Sequence, residues 1–458
     1  MRFIDLFAGL GGFHIALERL GHECVLASEI APELKKLYKT NFGIEPIGDI
    51  RKIDVKDIPD HDILCGGFPC QPFSKAGAQK GFEDKISGDL FQVVLDIIEE
   101  KKPAYFILEN VPNIMTHDEG KTWKHIIEKL GVEELGYKVT FRRFSPHQFG
   151  IPQVRGRVFI VGSRVPDGLG YFERIQPVTN VVPDLRLSLE LHPAEARALP
   201  KHYIECFEVW QEFIDELVKR EPLPSFPIWS TEFGATYPYK GTTPHSSATS
   251  LLSSVKGSHG LVLSGFSKEE QLSFLPSYAR RNDEKFPPWK EAYITQNRAL
   301  YKRNAEWLDE WIPKIKPYAS SLQKLEWNFK EGEPNIWKHI IQVRASGIRV
   351  KRANATPSLI AMTTTQVPIV AWEKRFMTVR ECMKLQCMDG LKHMPPTESA
   401  AFKALGNAVN ADLVTILAAG LLDQQIPDES IAEGTSYQIN DTAPSITEHS
   451  AVEQLELF

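Results

Sequence analysis

The chain has 458 residues with ordinary apolar (42%) and charged (24%) fractions, which excludes a disordered or collagen-like protein and leaves room for two cored domains. No run of about 18 apolar residues stands out, and MRFIDLFAGLGG lacks a signal-peptide layout, so neither a membrane span nor export is expected. The formal charge of −6 speaks against a nucleic-acid partner only until it is divided. Residues 424–458 hold seven acidic side chains and no Lys or Arg, which leaves +1 for residues 1–423, enough for a local basic face.

Arg2–Phe7 is a short apolar run that enters the glycine turn Phe7–Gly12, and a helical pattern follows through Leu20. Strand, glycine turn and helix are the opening unit of a nucleotide-binding α/β domain. Cys24–Ser28 reads as the second strand, with Glu29 after it either to hold a ribose or as a solvated strand-end carboxylate. Pro32–Phe42 is helical, and Gly48-Asp49-Ile50 ends a third short strand. Ile63 and Leu64 close a buried strand, and Gly66-Gly67 turns the backbone into Pro69-Cys70-Gln71-Pro72. The two prolines stiffen a loop that presents Cys70 as a candidate nucleophile, against the commoner fate of a buried structural thiol.

Ser74–Gly88 is polar and glycine-marked, as in a loop that closes over a substrate or an ordinary surface loop. Leu90–Lys101 returns to a helical period, and Tyr105–Leu108 is a strand delivering Glu109-Asn110-Val111 to the edge that carries Cys70. A helix over Thr122–Leu135 precedes a strand pair, Tyr137–Phe144 and Arg157–Ser163. Between those strands, Arg155 and Arg157 are two apart on an extended segment and point the same way, either to grip a phosphate or base edge or as a solvated face. The middle of the chain is rich in aromatics (Trp210, Trp229, Tyr237, Tyr239, Trp289). Ile336–Asn354 carries Lys338, Arg344, Arg349, Lys351 and Arg352 without an acidic residue. Cys382, Cys387 and His393 match no zinc spacing, and no metal is expected. Six scattered cysteines likewise form no disulfide framework, which fits a reducing cytoplasm.

FAGLGG, Glu29, GDI, FPCQPFS, ENV, QVRGR and a late GNAV resemble, in order and spacing, the motifs of the DNA (cytosine-5)-methyltransferases of bacterial restriction–modification systems. The match runs almost continuously over residues 1–165 and resumes at about 373–422. The resemblance implies a Rossmann-like α/β catalytic domain (1–165, completed by 373–423) and a smaller mixed target-recognition domain (166–372). A disordered acidic tail (424–458) would follow.

It also implies S-adenosylmethionine as cofactor and a covalent route: the Cys70 thiolate adds to cytosine C6 and makes C5 nucleophilic. Glu109 would hydrogen-bond the N3 edge, Arg157 would face O2, and Arg155 would orient the site. Phe7, Ala8, Gly9, Leu10 and Gly12 would wrap the methionine end, and Glu29 the ribose. Asp49 and Ile50 would touch adenine, Pro69 and Leu90 would line the pocket, and Asn407, Ala408 and Val409 would close it. Two departures stand out: Ile30, where many relatives carry a Trp, and Ser145-Pro146-His147-Gln148, where an Asn-Ala pair is usual.

The implied substrate is a flipped-out cytosine in double-stranded DNA, contacted through Ser74, Gln153, Arg344, Arg349, Lys351 and Arg352, with Thr363–Gln366 as a further contact segment. Arg380, Glu381 and Gln386 read as a structural helix. The enzyme would act as a monomer in the bacterial cytoplasm, at the nucleoid. Two rival readings are a tRNA-acting enzyme of the same fold, which the large middle region disfavours, and a dead DNA-binding protein, which the intact Cys70 and Glu109 disfavour. Gln454-Leu455-Glu456-Leu457-Phe458 resembles the peptide that bacterial proteins insert into the sliding clamp, through Gln454, Leu455, Leu457 and Phe458.

Overall fold

A computed structural model describes all residues except 70–84, 167, 179–180, 328, 330–331, 360–363, 428–429 and 441–458, and except the side chains of 85–89. The chain divides into two compact units, residues 1–191, 354–364 and 378–458, and residues 192–353 and 365–377.

The first segment builds the parallel strands β1 (Arg2–Leu6), β2 (Glu23–Ser28), β3 (Ile63–Gly67) and β4 (Tyr105–Asn110). Between them lie helices α1 (Gly12–Arg19), α2 (Pro32–Phe42) and α3 (Lys85–Lys101). Helix α4 (Lys121–Leu130) leads to β5 (Lys138–Phe144), a short β6 (Gln153–Val154), β7 (Arg157–Ser163) and a short β8 (Ile175–Gln176). The large sheet runs β2-β1-β3-β4-β7-β5, with β7 antiparallel to both its neighbours.

Both faces of this sheet are apolar, as a sheet covered on two sides requires. Ile4, Leu6, Leu64, Phe106 and Leu108 pack on Val94, Leu95 and Ile98 of α3 and on Ile126 and Leu130 of α4. Phe3, Ile63, Cys65 and Ile107 share the other core with Phe13, Ala16 and Leu17 of α1. Because β1 lies between β2 and β3, the chain crosses over there, and loops at the carboxyl ends of these strands flank a crevice.

The second unit carries α5 (Lys201–Val218), β9 (Ile228–Trp229), α6 (Thr249–Ser253), α7 (Lys268–Ser273), α8 (Pro288–Ile315), β10 (Lys324–Trp327), β11 (Ile340–Arg344) and β12 (Gly347–Lys351). The chain then returns to the first unit through β13 (Thr356–Pro357), which pairs with β6. It goes back for β14 (Ile369–Val370) and β15 (Arg375–Phe376), giving the sheet β15-β14-β11-β12-β10-β9. Trp210 and Phe213 of α5 pack against Trp311 of α8, an aromatic core in place of the aliphatic one.

The last segment supplies α9 (Val379–Leu385), α10 (Glu398–Asn407), α11 (Ala411–Leu422) and β16 (Gln438–Ile439) to the first unit. Arg380, Glu381 and Gln386 fall on or beside α9, which Thr378 and Glu381 open with a capping box. Glu398–Leu422, which spans α10 and α11, is no unbroken apolar run but holds a window apolar enough on average to cross a membrane, and 94% of that window is buried within the fold.

Several boundaries differ from those expected. Only an isolated bridge, Ser28 to Ile47, stands where a third short strand ending at 48–50 was expected, because the chain turns at once into a one-turn helix at Ile50–Lys52. Helix α4 stops at Leu130, where Gly131 ends it. The compact units also cut the chain elsewhere than at 165 and 372. Tyr171, Phe172 and Ile175 join the α11 core, residues 354–364 follow β6 into the first unit, and β15 pairs within the second.

The described start of the expected disordered tail is attached. The carboxylate of Asp412 accepts hydrogen bonds from Ala432 N and Thr435 Oγ1, and β16 pairs with β8. Ile426 and Tyr437 also pack on the α11 core, which supplies the apolar partners that this stretch lacks on its own.

Candidate active site

The turn after β1 starts with Phe7 at φ 59° and Gly9 at φ 55°, a left-handed path that glycine takes without strain and phenylalanine does not. Gly12 opens α1 where a Cβ would lie 2.5 Å from Val409 Cγ2, so the approach of the GNAV segment demands a glycine. Glu29, 9% exposed at the end of β2, ties this loop down: Gly9 N donates to Oε2 at 2.9 Å and Ala31 N to Oε1 at 2.8 Å. Beside it Ile30 is 66% exposed, an apolar side chain open to solvent at the rim of the crevice.

The remaining expected cofactor residues are placed as follows. Ala8, Leu10, Ala408 and Val409 are buried, Asn407 is exposed, and Pro69 and Leu90 are half-buried. Ile50 is a core residue. Asp49 does not present a free carboxylate, because Arg51 donates to it through Nε at 2.8 Å and Nη2 at 2.7 Å. A carboxylate on the glycine turn, backbone N–H groups and an exposed aliphatic side chain form a donor set that fits an adenosyl cofactor.

Glu109 is the penultimate residue of β4, directly across from Gly67 of β3. A Cβ on Gly67 would lie 3.2 Å from Glu109 Oε2, so the second glycine of the pair leaves room for that carboxylate. Arg157, the first residue of β7, donates from Nε to Glu109 Oε1 at 2.6 Å. Asn110, the middle residue of ENV, holds the segment that follows β3. Its Nδ2 donates to the carbonyl of Phe68, two residues before Cys70, while its Oδ1 accepts from Val111 N. Cys70 and Ser74, with the expected closing loop to residue 84, lie outside the described residues, as do Thr363 and the clamp-like residues Gln454, Leu455, Leu457 and Phe458.

Arg155 and Arg157 do not share a target. Arg155 is 3% exposed and donates to the carbonyls of Leu359, Gly406 and Ala408 and to Ser358 Oγ, all within 3.1 Å. These bonds make it a clamp on the GNAV segment instead of a phosphate grip. Gln153, expected at DNA, is fully buried on β6, and its amide has no hydrogen-bond partner among the described residues.

The second unit also departs from expectation. Arg344 and Arg349 are paired with Glu326 of β10, at 2.5 and 2.9 Å. Lys351 is half-buried beside them, and Arg352 is exposed, its guanidinium 5.6 Å from the ring centre of Phe329. Ile336–Asn354 has no acid of its own; the fold brings one in from β10. Of the aromatics noted there, Trp210 and Tyr237 are fully buried core and Trp289 is 55% exposed.

The first unit also holds a buried polar cluster that the apolar run Arg2–Phe7 hid. Asp5 is fully buried on β1; Tyr38 of α2 donates to its Oδ2 at 3.3 Å, and the Tyr38 hydroxyl lies 2.7 Å from His14 Nδ1 of α1. Burial pushes the Asp5 carboxyl up to about 7, the Tyr38 hydrogen bond pulls back, and Glu29 adds repulsion. Burial draws His14 down to about 4. A single carboxylate in an apolar strand was the available signal.

The chain matches the family described as C-5 cytosine-specific DNA methylase over residues 1–212 and 259–422. The Type II methyltransferase M.AluI of Cellulosimicrobium cellulans is 31% identical over 481 residues, spanning 90% of each protein. M.HhaI of Haemophilus parahaemolyticus is 44% identical over 189 residues, 41% of this chain and 57% of that one. M.MspI of Moraxella is 50% identical over 160 residues, 35% of this chain and 38% of that one. With the glycine turn, Glu29 and the Glu109–Arg157 pair on adjoining strand ends, these matches lead to one conclusion: the chain belongs to the C-5 cytosine-specific DNA methylase family and is a DNA cytosine-5 methyltransferase.

Proposed function

We propose that this chain methylates C5 of a flipped-out cytosine within a specific double-stranded DNA sequence through a covalent bond from Cys70 to C6 of the base. The observation that carries this reading is the Glu109–Arg157 ion pair, set opposite Gly67 three residues before Cys70. A carboxyl group and a guanidinium side by side match the N3 and O2 atoms of one cytosine edge. S-adenosylmethionine, when bound, supplies an electrophilic methyl group. Phe7–Gly12 and Glu29 would hold it, with Ile30 against its adenine in place of a larger ring.

Cys70 adds to C6, which makes C5 nucleophilic; after methyl transfer, loss of the C5 proton expels Cys70 and restores the ring. Arg155 acts at one remove, by fixing the segment that ends in Ala408. The second unit would meet the duplex, and Arg344, Arg349, Lys351 and Arg352 support that reading by their charge. Its relatives' designation as Type II enzymes supports a restriction–modification role in the bacterial cytoplasm.

The test is Cys70→Ala with a 5-fluorocytosine duplex. The native chain is expected to form a covalent adduct and the variant none, while both bind duplex; an adduct in the variant would refute the assignment.

QLELF supports a second partner, the bacterial sliding clamp, which would raise the enzyme's concentration on newly copied DNA. A titration of clamp against the full chain and a form ending at Glu453 tests it. Binding by the full chain alone is expected, and equal behaviour of the two forms ends the idea.

A further inference from the structure

On the central strands of the second unit's sheet one face is apolar, and the other carries the polar side chains together with fully buried Ile340 and buried Gln342, which donates to the Gln366 carbonyl. Along β10, β12 and β11, Leu325, Trp327, Ile348, Val350, Ile341 and Val343 are buried. The alternate positions carry Glu326, Arg349, Lys351, Gln342 and Arg344 on the other face, because successive strand residues point to opposite sides. Glu326 stands directly beside Arg349 in the parallel β10–β12 pair. Arg349 donates to it in a fork, Nε at 3.1 Å and Nη2 at 2.9 Å, and Arg344 adds Nη2 at 2.5 Å. Neither arginine's Nη1 has a partner among the described residues. The side chains of Arg344 and Arg349 are 18% and 27% exposed, so the two planes are held at the surface and do not sweep through solvent.

We propose that Glu326 holds the guanidinium planes of Arg344 and Arg349 in place so that their remaining nitrogens read guanine on the major-groove edge of the target duplex. The proposal rests on the reading that the second unit meets the DNA. Charge argues for bases over phosphates. A carboxylate beside an arginine repels a phosphate and removes one unit of the positive charge that counterion release rewards. Guanine O6 and N7 are neutral acceptors, so the carboxylate costs far less toward them than toward a phosphate, while a pre-oriented planar fork is what two acceptors at fixed spacing require. Arg344, Arg349 and Lys351 share one carboxylate, and burial and mutual repulsion draw the Arg344 and Lys351 pKa values down. The face thus retains an excess of positive charge that suits a polyanion.

The test uses the full chain on duplexes randomised around a cytosine, with methylation read by bisulfite sequencing and with duplex affinity, its salt dependence and the thermal midpoint measured alongside. Arg349→Lys keeps the charge and loses the fork. At least about tenfold loss of discrimination at one guanine position is expected, with the other positions unchanged. Glu326→Gln is expected to relax discrimination while random-duplex affinity holds or rises and its salt dependence steepens. Uniform weakening with unchanged preference in Arg349→Lys would overturn base reading in favour of phosphate contact. A lowered thermal midpoint with unchanged preference in both variants would reduce Glu326 to a staple between strands. Joint replacement of Arg344, Arg349 and Lys351 by Gln separates the two levels: unaltered affinity and preference would refute the reading that this unit meets the duplex.

Discussion

The two units differ in what their buried charge is mainly used to hold. In the first, beside side-chain pairs such as Glu109–Arg157, ionisable groups also grip backbone at the loops: Glu29 holds the amides of Gly9 and Ala31, and Arg155 holds carbonyls at 359, 406 and 408. In the second, they grip side chains: Glu326 holds two arginines, and fully buried Glu232 takes Tyr237, Tyr278 and Arg298. Backbone grips fix loops at the ends of parallel strands, where one reaction geometry must be kept. Side-chain grips fix the orientation of groups on a sheet face, where a substitution changes what is presented and leaves the chain path intact. Such a division suits a constant chemistry joined to a variable target.

The largest expected effect tests whether the first unit's ion pair serves chemistry or merely packing. Glu109→Gln should lower the methylation rate by about 10²–10⁴ with cofactor affinity within a few-fold. Single-turnover kinetics with a cofactor titration check it, and a loss confined to cofactor affinity would break the contrast. Next, Arg155→Ala strips four hydrogen bonds from a buried site and should destabilise the protein by about 3 kcal/mol in urea denaturation, with weaker cofactor binding. Arg344→Ala, at a partly exposed pair, should lower stability by about 1 kcal/mol or less.

Gly12→Ala should destabilise by about 1–3 kcal/mol because its Cβ meets Val409, and adding Val409→Ala should recover part of that loss in a double-mutant cycle.

The last effect is one of pH. Asp5, raised to about 7, contributes stability that is present at low pH and is lost as pH climbs from its unfolded value, near 3.8, toward 7. His14, lowered to about 4, contributes stability that is present above about 6.5 and is lost as pH falls toward 4. From about pH 4 to 6.5 the two slopes oppose each other. Asp5→Asn removes one of them, so the stability difference, variant minus native, should rise with pH between about 4 and 7 and then level. Urea midpoints at pH 5, 6 and 8 check this, and a flat difference would mean that Asp5 titrates in the fold near its unfolded value.

The order of elements in the first unit was legible because its signals are local. Glycines where the backbone must turn, a period of 3.6 from Pro32 to Phe42, and apolar runs at Tyr105–Leu108 and Arg157–Ser163 each encode their own conformation. Glu109 and the end of β3 that leads toward Cys70 could be placed at one sheet edge because parallel strands put their carboxyl ends together. Partner choice over long separations was not legible. Glu326 lies 18 and 23 residues from the arginines it holds, Arg155 lies 251 and 253 from carbonyls it clamps, and Asp412 lies 20 and 23 from the segment it retains. A sequence states which groups need partners, such as a lone carboxylate in RFIDLF or a run of arginines without an acid. The packing of sheets and helices decides which groups meet, and so gave the arginines of Ile336–Asn354 a carboxylate from β10 and made a supposed loose tail, up to Asn440, part of the first unit.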